Sequence, residues 1–372
     1  MPIYMDRHDV PGVTAGAVAE ASARDIEIQG DYGIEVMTYW VDEERGNAFC
    51  LMKAPNRNSV RDMHGKAHGL VPNEIIEVNS SIVNAFLGRI HNPGSDKPGQ
   101  STEHSIFNDP AFRSIMVVDL KDRALVNSKY GKELGNKLIK NFNNLAGRSI
   151  HDYGGLKVEN HDVVMASFSS VSNAVECALN MYESIQIQNR CTDLPYVELK
   201  IGISAGVPVT ESSKIFGDAI RMAKRLCAIS ESGKIQTASI IKELYKGNSA
   251  AAFNGTGQIR ALNPADEQFL NRLMDAFYNS ISDREVKMGE FSKRLGVSRS
   301  QLYRKTIHIT GLSPIDFLKE MRLNNAIKLM QKEYKNISET TYELGFTNPS
   351  YFTKCFKRRF SVPPAEFIKN LM

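Results

Sequence analysis

Near the C-terminus of this 372-residue chain one local plan is written twice. Gly289 to Arg304 reads as a short helix closed at Gly296, a capping Ser298, and a second helix that carries Ser300, Leu302, Tyr303 and Arg304. Ser338 to Phe352 repeats it: a helix broken at Gly345, Asn348 as the next cap, and Pro349 where a first-turn proline is tolerated. A stretch containing Arg322, Leu323, Ala326 and Leu329 reads as one stiff helix joining the two units. Two helix-turn-helix units so joined leave no place for a sheet, so residues 264–372 are expected to be all-α. The expected helices run from Leu270 to Tyr278, Met288 to Arg294, Ser300 to Ile309, Pro314 to Met330, Ser338 to Leu344 and Ser350 to Arg358. Helical spacing then sorts the faces. Leu302 turns inward while Ser300, Tyr303, Arg304 and Ile307 form another stripe; Phe352 and Phe356 turn inward while Ser350, Thr353, Lys354 and Lys357 line the open side. Lysine and arginine on such a stripe can neutralise phosphates or reach guanine edges. The bland alternative is a helical bundle with a solvated basic face.

Upstream, the Pro-, Gly- and Ser-rich run His91 to Gln100 reads as a linker, and Lys246 to Pro264 as a softer one. The expected domains are therefore 1–90, 105–250 and 264–372. Charge is divided unevenly: residues 1–80 hold 7 basic against 13 acidic side chains, and residues 266–372 hold 18 against 12. The C-terminal part should attract polyanions and the N-terminal part should not. The first part reads β-α-β-β-α-β: strand from Pro2 to Asp6, helix from Thr14 to Ile28, a hairpin of Val36 to Val41 and Ala48 to Met52, helix from Arg57 to His68, and strand from Glu74 to Val78. That order fits a ferredoxin-like sandwich. The second part alternates strands (Ser114 to Val118, Leu156 to Val158, Val163 to Phe168, Val197 to Val207, Ile235 to Thr237) with helices (Lys129 to His151, Ala174 to Ile187, Ala219 to Ala228). The chain is thus expected to be multidomain α+β. No apolar run is long enough to cross a bilayer, the first ten residues lack a signal-peptide core, and the five cysteines are scattered, which together point to the cytoplasm and to no membrane partner.

Two histidines, His64 and His68, lie four apart on an expected helix and share its face. His8, near the end of the first strand, can add a third imidazole, and such a set suits a divalent transition metal. The alternative is a pair of solvated or helix-terminal histidines. Elsewhere, Asp119 ends a strand and Asp162 sits in a hairpin turn, places from which two carboxylates can hold divalent metal against phosphates.

Three resemblances sharpen these expectations. Phe269 to Phe367 resembles the AraC-type regulators through the run Ser298 to Lys305, Gly311-Leu312-Ser313-Pro314, Arg322-Leu323 with Ala326, Glu343-Leu344-Gly345-Phe346, Ser350-Tyr351-Phe352, and Phe356, Phe360 and Pro364. Ser361 stands where that family usually has glycine. The resemblance implies base readers at Ser300, Tyr303, Arg304, Ser350, Thr353 and Lys354; Lys357, on the same open face, is expected to contact phosphate. Arg113 to Tyr245 is similar to the class III nucleotide cyclase catalytic domain through Val118-Asp119-Leu120, Gly154-Gly155, Asp162 to Phe168, Gly202 to Gly206, Phe216 to Ile220 and Ala223 to Leu226. It implies a cyclase-like α/β sandwich with Asp119, Asp162 and Arg225 as relic site residues. The glycine before the second aspartate is His161, the base-recognising lysine position is Val158, and the transition-state asparagine position is Arg221. These departures imply that cyclisation is lost and the domain is not an enzyme. Pro2 to Val78 resembles a small ferredoxin-like bacterial family described as nickel-binding, through Tyr4 to His8, Tyr39 to Gly46, Phe49-Cys50-Leu51, Ala54-Pro55 and His64 to Gly69. It implies nickel or another divalent transition metal at His8, His64 and His68. The family's frequent first-helix histidine is replaced here by Ala21-Ser22-Ala23.

The combined expectation is a cytoplasmic, sequence-specific DNA-binding transcriptional regulator that senses a ligand or metal. Its expected partners are double-stranded promoter DNA, a second copy in a homodimer, and RNA polymerase. Two rivals remain: a nucleotide cyclase governed by its flanking domains, and a metal-binding protein with a vestigial DNA-binding module.

Overall fold

The computed structural model describes residues 1–93, 106–159, 163–231, 233–247, 253, 257–333 and 336–371. Strands β1 (Ile3–Asp9), β2 (Glu35–Asp42), β3 (Asn47–Lys53) and β4 (Glu74–Val78) form an antiparallel sheet in the order β2-β3-β1-β4. Helices α1 (Ala15–Ile28) and α2 (Arg57–Ala67) cover one face, starting at Thr14 and Asn56, whose side chains accept from first-turn amides. Under them lie Tyr4, Val18, Tyr39, Val41, Cys50, Met52, Val60 and Met63. Strand periodicity sends the alternate residues to the opposite face. A further helix, α3 (Ser80–Leu87), follows β4 from its Asn79 cap; the sequence reading ended at the strand.

The middle part contains β5 (Arg113–Leu120), α4 (Val126–Tyr130), α5 (Lys132–Asp152), β6 (Leu156–Val158), β7 (Val164–Phe168), α6 (Val171–Cys191), β8 (Leu199–Gly206), α7 (Gly217–Ile229), β9 (Ile235–Thr237), α8 (Ser239–Leu244) and β10 (Ile259–Ala261). The sheet order is β10-β9-β8-β5-β7-β6, antiparallel around β5 and parallel across β8, β9 and β10. Helices α5 and α6 pack on one face, against Met116 and Val118. The expected single helix from Lys129 is two, because the chain turns at Gly131 with φ 84°. The softer linker also holds a strand: β10 extends the sheet from within it.

The other face of this sheet does not meet water. Ile115, Val117, Met165 and Phe216 share one core with Met5, Trp40, Phe49, Leu51 and Ile76 from the open face of the first sheet. Residues 106–112 reinforce the join. Val41 donates to the Asp109 carbonyl (3.2 Å), the Phe107 ring stacks on Tyr39 at 4.2 Å, and Arg89 bridges Asp109 (2.9 Å) and the Tyr39 carbonyl (2.6 Å).

The C-terminal part is helical: α9 (Pro264–Asn279), α10 (Met288–Arg294), α11 (Arg299–Thr310), α12 (Pro314–Glu333), α13 (Ile337–Glu343), α14 (Pro349–Phe360) and α15 (Pro364–Leu371). Phe269, Leu270, Leu273 and Phe277 of α9 lie in the same core as α5 and α6, so this helix belongs to the packing of both parts. The second helix-turn-helix has its own core of Leu323, Ala326, Leu344, Phe346, Phe352, Phe356, Phe360 and Phe367. Among the described residues, no helix is long and apolar enough to cross a membrane.

Candidate metal centre and nucleic-acid interface

Alternation along β1 puts Asp6 and His8 on the helix-covered face and Met5 on the other. Helix α2 turns Val60, Met63 and His64 inward, and α1 turns Val18, Ser22 and Asp25 toward them. His68 is the C-cap of α2 and donates its backbone N–H to the His64 carbonyl. The result is a buried polar knot. His64 Nε2 lies 2.8 Å from Asp6 Oδ2, and His64 Nδ1 lies 3.1 Å from Asp25 Oδ1 and 3.0 Å from His68 Nε2. His68 Nε2 is 3.3 Å from Asp25 Oδ1. The Cys50 backbone amide donates to Asp6 Oδ1 (2.9 Å).

Electrostatics explains how six polar side chains tolerate burial. Burial alone disfavours the His64 imidazolium, but Asp6 and Asp25 outweigh it and push its pKa up to about 10. Burial likewise opposes ionised Asp6, yet His8 and His64 hold its carboxyl well below the usual range. Burial, with Asp6 and Asp25 adding to it, pushes the Cys50 thiol well up.

The three expected histidines are neighbours, with ring centroids 4.9 Å apart for His8 and His64, 5.1 Å for His64 and His68, and 6.2 Å for His8 and His68. They do not form one triad. Among the described residues, donor atoms fall into two groups within 4.8 Å: Asp6, His8, Cys50 and His64, and Asp25, His64 and His68. His64 belongs to both. His8 Nε2 is buried with no hydrogen-bond partner, 3.5 Å from Asp6 Oδ1. An orphaned imidazole nitrogen beside carboxylates and a thiol is a donor set that fits a borderline divalent metal. Asp6, Asp25 and Cys50 were not among the sequence candidates. Asp6 could have been found two residues before His8 on one strand face; Asp25 and Cys50 are polar positions in apolar stripes, visible only once the face is known.

Of the cyclase-like candidates in the middle part, Asp119 and Arg225 each have partners of their own. Asp119 accepts from the Leu120 amide (2.9 Å) and lies 3.7 Å from Arg123, while burial pushes its carboxyl up to about 7. Asp162 lies outside the described residues. Arg225 faces α9 instead of a phosphate site, donating to Asn271 and Asp275 with 8% of its side chain exposed. Arg221 pairs with Asp218 at 2.6 Å. Val158 is buried in the core shared by the two sheets.

In the C-terminal part, Gly296 and Gly345 take φ of 66° and 68°, which closes the first helix of each unit. Ser298 and Gln301 make a reciprocal capping box at α11, and Asn348 accepts from the Tyr351 amide (2.8 Å) at α14. Leu302 is buried; Ser300, Tyr303, Arg304, Ser350, Lys354 and Lys357 are exposed, and Thr353 is half-buried. Among the described residues, Arg304, Lys354 and Lys357 have no carboxylate at ion-pair distance. The two outward stripes therefore present donors, hydroxyls and free cations.

Residues 4–78 match the family described as "Nickel responsive protein SCO4226-like", and residues 291–370 match a "Helix-turn-helix domain" family. The chain is similar to "Histidine kinase P4" of Formosa agariphila (33% identity, covering 28% of this chain and 8% of that protein). It is similar to "HTH-type transcriptional activator RhaS" of Mannheimia succiniciproducens (25% identity, 39% of this chain, 52% of that protein). It is also similar to "Putative adenylate cyclase 3" of Rhizobium meliloti (32% identity, 26% of this chain, 16% of that protein). The chain spans about half or less of the length of these relatives. The molecule has three parts: an N-terminal domain of the SCO4226-like kind, a cyclase-like middle and an AraC-type C-terminal helix-turn-helix domain.

Proposed function

We propose that this protein is a cytoplasmic transcriptional regulator that binds promoter DNA through two reading helices and responds to a divalent transition metal held in its N-terminal part. One observation carries the DNA reading: two helices in matched helix-turn-helix settings both turn outward a polar stripe whose cations, Arg304, Lys354 and Lys357, have no carboxylate at ion-pair distance among the described residues. Ser300, Tyr303 and Arg304 would read one half-site, and Ser350, Thr353 and Lys354 the other, with Lys357 on phosphate. Promoter binding would be exercised as a homodimer and would act on RNA polymerase. Capture of duplexes from a random-sequence pool tests it. The expected product is a long, asymmetric site whose halves lie about one helical turn, ~10 bp, apart. Recovery of no preferred sequence, or of a four- to five-base-pair site per monomer, would overturn it.

For the metal, Asp6, His8, Cys50 and His64 on one side, and Asp25, His64 and His68 on the other, are the residues that would hold it. A bound ion supplies positive charge to a knot that otherwise depends on the His64 proton for it. Asp6 and Asp25 orient the His64 ring from opposite edges, and β1 and β3 carry Asp6, His8 and Cys50 on the reverse of the face packed on the middle sheet.

The middle part is read as non-catalytic. Cyclisation needs a recognised base and stabilised charge at the transferring phosphoryl group. Here the base position, Val158, is in an apolar core, Arg225 is committed to α9, and Arg221 is paired. Purified chain with ATP or GTP and manganese should form no cyclic product; turnover abolished by Asp119→Ala would restore the cyclase reading.

A further inference from the structure

The second helix-turn-helix is gripped by the middle domain from behind. The chain leaves β5 at Leu120 and turns through Asp122, whose φ of 55° is left-handed, into a 3-10 turn ending at Leu125. Leu125 belongs to the middle domain but is fully buried in the core of the second unit, among Leu323, Phe352, Phe356 and Phe360. Beside it, Asp122 Oδ1 and Oδ2 accept from Arg359 Nη2 and Nη1, both at 3.1 Å. Arg359 Nε donates to Glu320 of α12 at 2.8 Å, and Lys129 holds Asp122 from the other side at 3.2 Å.

Position on α14 gives this contact its meaning. Arg359 follows Ser350 by nine residues, about two and a half turns, so it points away from the stripe of Ser350, Thr353, Lys354 and Lys357. The grip therefore leaves the reading face open. A bidentate arginine–carboxylate pair next to a buried leucine fixes direction as well as distance.

We propose that residues 120–126 are a docking latch that holds the second helix-turn-helix from the side opposite its reading face and presets its position relative to the first. Pre-setting both helices removes ordering cost from DNA binding. The latch rises from the end of β5, with Asp122 three residues after Asp119, so displacement of that strand end is carried to the second reading helix. The proposal rests on the DNA-binding reading only for its consequence; the latch itself can be measured without DNA.

The test is amide hydrogen exchange on the full chain without DNA. It compares the wild type with Asp122→Asn, Arg359→Gln and the double variant. Asparagine tolerates the left-handed backbone, so Asp122→Asn removes charge without refolding the turn. Expected is several-fold faster exchange in α13, α14 and α15 for each single variant, no further gain in the double, and unchanged α10 and α11. Unchanged exchange in α13 to α15, additive effects, or equal loosening of both units would overturn the latch. A second arm uses a duplex enriched from a random pool by the wild-type chain. Asp122→Asn should bind it several-fold more weakly, yet match the wild type on a duplex with the second half-site scrambled; equal binding to the intact duplex would also overturn the proposal. Failure to enrich any duplex would sink the regulatory reading and leave the exchange result to decide the latch.

Discussion

His64 is shared by both donor groups, whereas His8 and His68 each serve one. Titrating the full chain with nickel by calorimetry, His64→Ala should lower affinity by about tenfold or more, and His8→Ala or His68→Ala should each remove part of it. Equal nickel affinity in His64→Ala and wild type would mean that the knot is structural. Nickel, copper or zinc should bind far better than magnesium. On the DNA side, Arg304→Ala should relax specificity at one or two positions and cost ~1–3 kcal/mol, while Lys357→Ala should weaken all sequences alike and flatten the salt dependence. Uniform loss in both variants would remove Arg304 from the readers. Asp119 gives a pH prediction. Its folded pKa, about 7, is raised from 3.8, so the native state gains least from ionisation; stability falls as pH rises from about 4 to 7 and then levels off. Asp119→Asn should therefore raise Tm more at pH 8 than at pH 5, and an equal shift at both would contradict the assignment.

At the scale of elements, the two glycines that close the first helices are not equivalent. A Cβ at Gly296 would meet nothing within 4 Å, whereas one at Gly345 would lie 2.8 Å from Arg322 Nη2 and 2.9 Å from the Asp283 carbonyl. Both substitutions to alanine force a left-handed residue, at ~1–2 kcal/mol. Gly345→Ala should cost more than Gly296→Ala in denaturant unfolding, because it also displaces the Arg322 guanidinium from the Ile281 and Gly345 carbonyls. Equal costs would show that Arg322 adjusts freely. These turns were legible in the sequence because glycine, serine, asparagine and proline act locally. So were most strands and helices, and the inward placement of Leu302, Phe352 and Phe356. What local patterning did not disclose was set by distant partners. The alternation of β1 and β3 shows that Met5, Phe49 and Leu51 share a face, but not that the face meets a second sheet. Arg225 matched a catalytic position, but α9 arrives to claim it. Asp25 and Cys50 became candidates only when α1 and β3 converged on His64.

For the whole molecule, the shared core between the first and middle sheets is the feature with the widest reach. On β1 and β3 the candidate metal ligands Asp6, His8 and Cys50 lie on one side, and Met5, Phe49 and Leu51 on the other. Thermal unfolding followed at Trp40, which has no exposed surface and sits in this shared core, should coincide with loss of the middle domain's secondary structure. An earlier, separate Trp40 transition would show that the two sheets part before either melts. The same feature bears on how such a chain can be rebuilt. Residues 4–78 resemble a detachable cassette, and a relative's version could be spliced in by sequence alone. Such a chimera would inherit ligands suited to one ion and an apolar floor shaped for another neighbour. Exchange of the N-terminal end is therefore limited by the fit of its unseen underside, and a working hybrid would need Met5, Trp40, Phe49, Leu51 and Ile76 carried over with the host.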